Sequence, residues 1–440
     1  MLDIKFIKQN TEKVKLAAKV KHVNVDIDLL LKLNDERVNL LAKIEKLRAE
    51  KNENADSINK LSNDKKEERE KLVSKGKGIK EELNALEGQH REVDKRFQEL
   101  MLFVPNIPSA DSPVGDSDQE NVEVKQWGNK PHFDFPLKNH VELGENLDLL
   151  DLEIGSKVAG YRGYYLKNEA VLLHFAVLSY ALNKLIQKGF TPFVPPTLVN
   201  EFALIGSGHF PFGKDEIYQI ANPGKLESGQ ATVSPVYLAG TAEPSLLAYY
   251  SDKVLNEKDL PIKACGQSQC YRSEIGSYGK DTKGIYRIHE FMKVEQIVIC
   301  KNDIEESNKW LEEMRGISEE ILEDLGLPYR VLNICTADMG AGKYKMYDIE
   351  TWMPARNSYG ETHSDSNLTD WQTRRLNIKY VDEKGEKKYA YALNNTAIAS
   401  PRILIAIFEN YQQKDGSIKI PEVLRPYLNN KSLITKDKSK

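Results

Sequence analysis

Cysteine is scarce in this 440-residue chain, and Cys265, Cys270, Cys300 and Cys335 form no CxxC pair. That excludes a zinc ribbon or a disulfide framework as the organising principle. A reducing compartment, the cytoplasm, is expected. Long apolar runs are missing too. The start, MLDIKFIKQN, has no uninterrupted apolar stretch, and the most apolar window, Ala170 to Leu182, is broken by His174 and too short to cross a bilayer. No membrane partner is expected. The sequence also lacks GxGxxG after a strand, GxxxxGK[ST], GxSxG and HExxH, so a bound nucleotide would not be cradled by a P-loop. Charge of one sign is absent as well: 62 Lys+Arg against 66 Asp+Glu leave a net charge of -4. This excludes a uniformly cationic nucleic-acid coat.

What is present divides into an arm and a body. Apolar residues recur at steps of three and four through Leu30, Leu33, Leu40, Ile44, Leu47, Ile58 and Leu61, with Arg37, Lys51 and Asn54 as polar interruptions. A second heptad seam runs Leu72, Ile79, Leu83, Leu86, Val93, Phe97 and Leu100, interrupted by Gly76 and His90. Between them lies the polar stretch Ser62-Asn63-Asp64-Lys65-Lys66. The pattern predicts an antiparallel two-helix hairpin over about 27–103, each helix on the order of 45 Å long. Such a hairpin serves as a dimerisation or spacer element or as a projecting lever. Residues 1–100 hold 23 Lys+Arg and 20 Asp+Glu, against 39 and 46 in the rest, so the arm is the mildly basic part. Lys71, Lys75, Lys77 and Lys80 follow one another with no acid between, which suits a phosphate backbone and equally a solvated helix face.

Proline and serine in Val104 to Val122 end the heptads. The expected domains are therefore 1–110, 111–430 and a basic disordered tail, 431–440. Helical periodicity marks Asn168–Lys188 and Asp303–Leu325, and β-rich runs mark Ile262–Cys270, Glu290–Cys300 and Lys388–Leu393. Strands and helices do not alternate regularly, so the fold class is α+β, with an antiparallel sheet rather than a doubly wound parallel one.

Polar constellations concentrate in the second half. Cys270 to Ile299 reads as strand, long loop, strand. It carries Arg272, Glu274, Arg287, Phe291 and Glu295; Arg272 and Glu274, two apart on a strand, project to one side, and a hairpin returns Phe291, Lys293 and Glu295 beside them. A guanidinium takes a carboxylate or phosphate, a ring stacks on a base, and carboxylates read amino and hydroxyl groups. That set suits a nucleotide plus an amino acid, while surface salt bridges and a core phenylalanine explain the same residues singly. GTAEPSL, Gly240 to Leu246, offers Thr241 and Glu243 as a hydroxyl and an anion for an ammonium, or as an ordinary helix start. Asn394 to Gln412 turns from polar loop into an apolar helix with Arg402 in its first turn. There a cation opposes the helix dipole and needs an anion, from a ligand or a local ion pair.

These segments, GTAE, RSEIGSYGKDTKGIYRIHEF with KVE, YGETHSDSNLTDWQTRR, and NNTAIASPR with ILIAIFENYQ, resemble in order and spacing the serine-binding loop and motifs 2 and 3 of seryl-tRNA synthetases, class II aminoacyl-tRNA synthetases. The N-terminal decapeptide, the hairpin and NIPSADSPVG extend the resemblance over the whole chain. It implies a class II catalytic domain behind a tRNA-binding arm, and a homodimer joined through the segment from Lys188-Gly189-Phe190 to Pro195-Pro196. It also implies that Arg272 neutralises the α-phosphate and the serine carboxylate, that Glu274 contacts adenine, that Phe291 stacks on it and that Arg402 holds the γ-phosphate. Ser273, Ile288 and the stretch Glu361-Thr362-His363-Ser364 complete the ATP site, Glu361 and Ser364 holding magnesium. Thr241, Ala242, Glu243, Arg272, Glu295 and Thr396 form the serine pocket. Arg272, Arg402 and Glu361 are the implied catalytic residues, and Lys71, Lys75, Lys77 and Lys80 the candidate tRNA contacts.

The implied reaction is activation of L-serine by ATP to seryl-adenylate, with transfer to tRNA(Ser), and to tRNA(Sec) where the organism has one. Preorganised arginines and magnesium supply the chemistry, and no side-chain nucleophile is needed. No zinc is expected. Thr396, Glu290, Thr362-His363 and Ser400-Pro401 depart from the commonest family pattern, which bears on the shape around the γ-phosphate and metal. A ligase charging a carrier protein, and an inactive coiled-coil scaffold, are the competing readings. The long hairpin argues against the first, and Arg272, Glu274, Glu361 and Arg402 together against the second.

Overall fold

The computed structural model describes residues 1–62, 65–222, 235–275 and 283–436. The chain divides into two compact units, Leu2–Pro105 and Asn106–Lys440 with Met1.

In the first unit, helices α1 (Ile27–Lys60) and α2 (Lys66–Phe103) form an antiparallel pair. Asp26 caps the first, its carboxylate accepting from the Leu29 N–H at 2.9 Å. Ile27, Leu30, Leu33, Leu40 and Ile44 are buried against Ile79, Leu83, Val93, Phe97 and Met101, as the seam requires. The polar interruptions are also partnered. Arg37 reaches Asp94 at 3.2 Å and lies 4.6 Å over the Phe97 ring, and Arg48 reaches Glu87 at 2.7 Å. Buried Asn54 donates to the Leu72 carbonyl at 2.9 Å, and a Cβ at Gly76 would come within 2.9 Å of the same Nδ2. The glycine thus makes room for the asparagine.

In the second unit, an eight-stranded sheet has strands β1 (Val122–Trp127), β2 (Thr191–Phe193), β3 (Ile262–Tyr271), β4 (Glu290–Cys300), β5 (Tyr329–Asn333), β6 (Lys345–Met353), β7 (Ser358–Asn367) and β8 (Tyr391–Ala399), in the order β1-β5-β6-β7-β8-β4-β3-β2. All pairings are antiparallel except β2 with β3. This is the expected α+β class. Helices α3 (Glu169–Gln187), α4 (Ile304–Asp324) and α5 (Ser400–Asn410) cover it. In α4, Asp303 caps the start, accepting from the Glu306 N–H at 2.9 Å, and Leu311, Met314, Ile317 and Ile321 form the buried stripe. Central β4 is buried on both faces from Lys293 to Cys300, which explains its apolar run Ile297–Cys300 and leaves Lys293, Glu295 and Gln296 as buried polar groups.

Three expectations are corrected. Lys388–Leu393 is not one strand: Lys387–Tyr389 belongs to a separate three-stranded sheet and Tyr391 opens β8, a change of partner that β-propensity does not register. The window Ala170–Leu182 belongs to a 19-residue helix that by length and composition could cross a membrane. In this fold its face of Ala170, Leu173, Val177, Ala181 and Leu185 is buried in the body's core. In the basic tail, Leu433–Ile434 pairs with Ile418–Lys419 and Ile434 is buried, because that dipeptide is apolar amid lysines. Residues 437–440 lie outside the described residues.

Candidate active site

Strand β3 ends at Tyr271, so Arg272 and Glu274 do not share a strand face; Glu274 sits in the left-handed region at φ 55°. The same-face expectation therefore fails at these two residues, yet the loop brings them to one place. Arg272 is tied by its N–H to the His289 carbonyl at 2.8 Å and by Nε to the Gly240 carbonyl at 3.3 Å. Its guanidinium carbon lies 5.3 Å from the centre of the Phe291 ring. Glu274 accepts from both Arg162 and Arg287 at 3.4 Å.

Arg272, Glu274, Ile288, Phe291, Glu361, Thr362, His363, Ser364, Thr396 and Arg402 line one narrow slot of about 60 Å³. Arg402 donates from Nη1 to the Glu361 carbonyl at 2.8 Å and to its carboxylate at 3.2 Å. Burial pushes the Glu361 carboxyl up, but Arg402 and Arg272 outweigh it and hold it below the usual range. Of the residues expected here, Ser273 is turned away, its hydroxyl donating to the Asp215 carbonyl at 3.0 Å. The segment 276–282 of the loop lies outside the described residues.

Two β-bulges build the slot. Ile349 pairs with His363 and Glu350 with Glu361, leaving Thr362 as the extra residue; Thr396 pairs with Glu295 and Ile398 with Val294, leaving Ala397 extra. Without a bulge, residues three apart on a strand face opposite sides; with it, Glu361 and Ser364 line the same slot. His363 locks the two bulges together. Its Nε2 donates to the Ala397 carbonyl at 3.1 Å, so Nδ1 is left to accept from the Thr362 hydroxyl at 2.8 Å. Nothing in residue type or periodicity announces a bulge, and Asp348, which pairs with Ser364, was missed for that reason. Burial, with Glu361 nearby, raises the Asp348 carboxyl, and among the described residues its Oδ1 has no hydrogen-bond partner. A buried orphan oxygen beside Glu361 and Ser364 fits a hard cation such as magnesium.

A wider pocket of about 550 Å³ adjoins at Arg272, with Glu243 in its wall. Thr241, Glu243, Glu295 and Thr396 are buried. Glu243 Oε1 accepts from Gln372 at 2.6 Å and Asn394 at 2.9 Å. Glu295 pairs with Lys293, whose ammonium reaches the Thr396 hydroxyl at 3.3 Å. Cross-strand register puts Glu295 opposite both Gly266 and Thr396, so two residues over 120 apart in sequence meet on one glutamate. Burial raises both the Glu243 and Glu295 carboxyls; a bound ammonium would relieve both. Ala242 does not face this pocket. It is packed in the core over Gly266, whose Cβ would meet it at 3.2 Å. Gln372, Asn394, Lys293, Arg162 and Arg287 are partners to which motif reading gave no role; Lys293 and Arg287 had a signal, both lying in the polar constellation between Cys270 and Ile299. Lys71, Lys75, Lys77 and Lys80 are all exposed on α2, but helical geometry puts the first two and the last two on different flanks.

The antiparallel sheet, with arginines at a strand end and at a helix start around one slot, defines a class II aminoacyl-tRNA synthetase core. The family model described as tRNA synthetase class II core domain (G, H, P, S and T) matches residues 229–411. The chain belongs to the seryl-tRNA synthetase family: the Seryl-tRNA synthetase N-terminal domain model matches residues 1–108, and serine–tRNA ligases are similar to it over nearly their whole length. That of Treponema denticola is 46% identical, covering 97% of this chain and 98% of the relative, and that of Deinococcus radiodurans 45%, covering 99% of each. The solved seryl-tRNA synthetase of Pyrococcus horikoshii complexed with ATP aligns over 100% of both chains at 38% identity and TM-score 0.87. The Naegleria fowleri cytoplasmic enzyme in complex with AMP aligns over 98% of this chain and 96% of its own at 30% and 0.82.

Proposed function

We infer that this protein is a serine–tRNA ligase that activates L-serine with ATP and transfers it to tRNA(Ser). The observation that carries this reading is the meeting, at Arg272, of a nucleotide slot with a wider pocket backed by the buried polar residues Thr241, Glu243, Glu295 and Thr396. Phe291 stacks on adenine and Glu274 reads its edge. Arg272 sits between the α-phosphate and the serine carboxylate, so both reacting groups share one counter-charge. Arg402 takes the γ-phosphate, which requires it to leave Glu361; at about 60 Å³ the slot also has to open for a nucleotide. Glu361 and Ser364, with Asp348 behind them, hold magnesium, which when bound offsets phosphate charge. Glu243 takes the serine ammonium. Glu295 and Thr396, oriented by Lys293, take its hydroxyl, and alanine would leave these buried groups unpaired, a discrimination of roughly 10⁴ or more.

The arm, with Lys71, Lys75, Lys77 and Lys80 on two flanks, holds tRNA through backbone and shape. A tRNA(Sec) of the same shape is a second substrate where the organism has one. Phe175, Val194 and Leu198, at 50%, 91% and 57% exposure, lie along α3 and the segment after it and support a homodimer through this region. The four cysteines are buried and unbridged, in keeping with a cytoplasmic enzyme. Serine-dependent pyrophosphate exchange followed by charging of tRNA tests the reading. No exchange would leave an inactive scaffold, and exchange with transfer only to a carrier protein would leave the other ligase class.

A further inference from the structure

The assignments above give Arg356 no role, yet it stands at the phosphate end of the nucleotide slot. It is exposed on the turn Pro354–Arg356 between β6 and β7, and its guanidinium carbon lies 4.7 Å from the centre of the Tyr286 ring. That of Arg402 lies 4.5 Å from the same centre, and its Nε donates to the Tyr286 carbonyl at 3.2 Å. Tyr286 lines the slot with Arg402 and Glu361, so one ring at the slot holds two cations. A Cβ on Gly360 would fall 3.0 Å from the Tyr286 hydroxyl oxygen, and bare backbone there lets the ring in. The turn and the ring are both tied to α5, the helix that carries Arg402. Its buried Glu409 accepts from the Ala355 N–H at Oε2 and from the His140 N–H at Oε1, each at 3.1 Å. His140 Nε2 accepts in turn from the Ile285 N–H at 3.3 Å, and Asn410 donates to the Trp352 carbonyl at 2.9 Å. One helix therefore sets both guanidiniums and the ring on which they meet.

We propose that Arg356 is a further binding residue for the β- and γ-phosphates of ATP, closing on them together with Arg402 and holding the pyrophosphate that leaves. The proposal rests on the serine–tRNA ligase reading and adds a residue to its nucleotide side. A guanidinium is planar and takes two phosphate oxygens at once. In the activation step a serine carboxylate oxygen bonds to the α-phosphorus, and the bond from that phosphorus to the bridging oxygen breaks. Pyrophosphate departs with the electron pair, so charge grows on the outer phosphates as the bond lengthens. Arg272 serves the α-phosphate, and Arg402 has to leave Glu361 before it serves the γ-phosphate. Arg356 adds a cation on the leaving side, where a preorganised charge lowers the barrier and retains the product. The Tyr286 ring keeps it there between turnovers.

Serine-dependent pyrophosphate exchange on the unaltered full-length protein comes first; its absence would overturn the ligase reading, and the binding measurements that follow would still judge Arg356. Calorimetry then gives the Kd of ATP, pyrophosphate and AMP for each variant. Arg356→Met, which keeps a long side chain on the Tyr286 ring, should weaken ATP and pyrophosphate about tenfold, the value of a charge-assisted hydrogen bond. AMP, which lacks both outer phosphates, should bind as it does to the unaltered protein. Arg356→Lys should recover part of the loss, as a point charge without the planar fork. In exchange assays Arg356→Met should raise the KM for ATP and leave that for serine in place. Equal losses for AMP, ATP and pyrophosphate would reduce Arg356 to a brace for Tyr286 and overturn the proposal. Unchanged binding of ATP and pyrophosphate in Arg356→Met would overturn it as well.

Discussion

Glu295 is caught between two demands: the fold buries it, which favours the neutral acid, and Lys293 holds it as an anion. Glu295→Ala should abolish serine activation while ATP binding survives, and it strands Lys293, a loss of about 3 kcal/mol or more in stability. Glu295→Gln keeps the volume and separates the two effects: measured serine-dependent exchange should still fall steeply, and exchange at the unaltered rate would remove Glu295 from the pocket. His363 makes a different prediction. Burial takes it down to about 4 from 6.5. As pH falls, the unfolded chain binds the proton first, so its contribution is intact above about 6.5 and is lost toward 4, roughly 2 kcal/mol at pH 5. Denaturant titrations at pH 7 and 5 should show that difference narrowing in His363→Gln; an equal difference would assign the acid sensitivity elsewhere. At this scale the sequence was most legible for residues whose chemistry is peculiar, such as Arg272 and Arg402. It was silent about Gln372 and Asn394, ordinary amides that matter only because folding aims both at Glu243.

Among elements, the strands and helices of the body were legible where periodicity persists, as in α3, α4 and β4. The bulges at Thr362 and Ala397 were not, because each is a register shift between partners and leaves no mark on either strand alone. Ser273 and Ala242 sit inside recognisable motifs, and the fold sends their side chains elsewhere: a hydrogen bond to the Asp215 carbonyl holds one and the core takes the other. The helix Leu152–Ala159 shows how an element remote from the chemistry positions a site. A Cβ on Gly155 would fall 2.4 Å from Tyr164 Cα, and one on Gly163 would fall 2.3 Å from the Gly155 carbonyl oxygen, so helix and following segment touch backbone to backbone. That segment carries Arg162, which grips Glu274. Gly155→Ala should cost about 1–3 kcal/mol and, by displacing Arg162, raise the KM for ATP more than that for serine. A uniform loss of kcat with both KM values fixed would count against this linkage.

For the whole molecule, the net charge of -4 conceals the difference that matters, a mildly basic arm on an acidic body. The division into Leu2–Pro105 and the rest gives the arm its own buried seam, so removal of residues 25–103 should leave serine-dependent exchange running and abolish transfer to tRNA. Undiminished charging by the truncated protein would make the hairpin a spacer. In the full chain, the KM for tRNA should climb steeply with salt while that for serine does not. The seam has one further consequence. The polar interruptions of the seam find partners within the hairpin, Arg37 with Asp94 and Asn54 with Leu72, so the element behaves as a ruler whose graduations are heptads. Seven residues added to each helix would move its tip by roughly 10 Å. The enzyme would then measure out a different tRNA, with every residue of its active site unchanged.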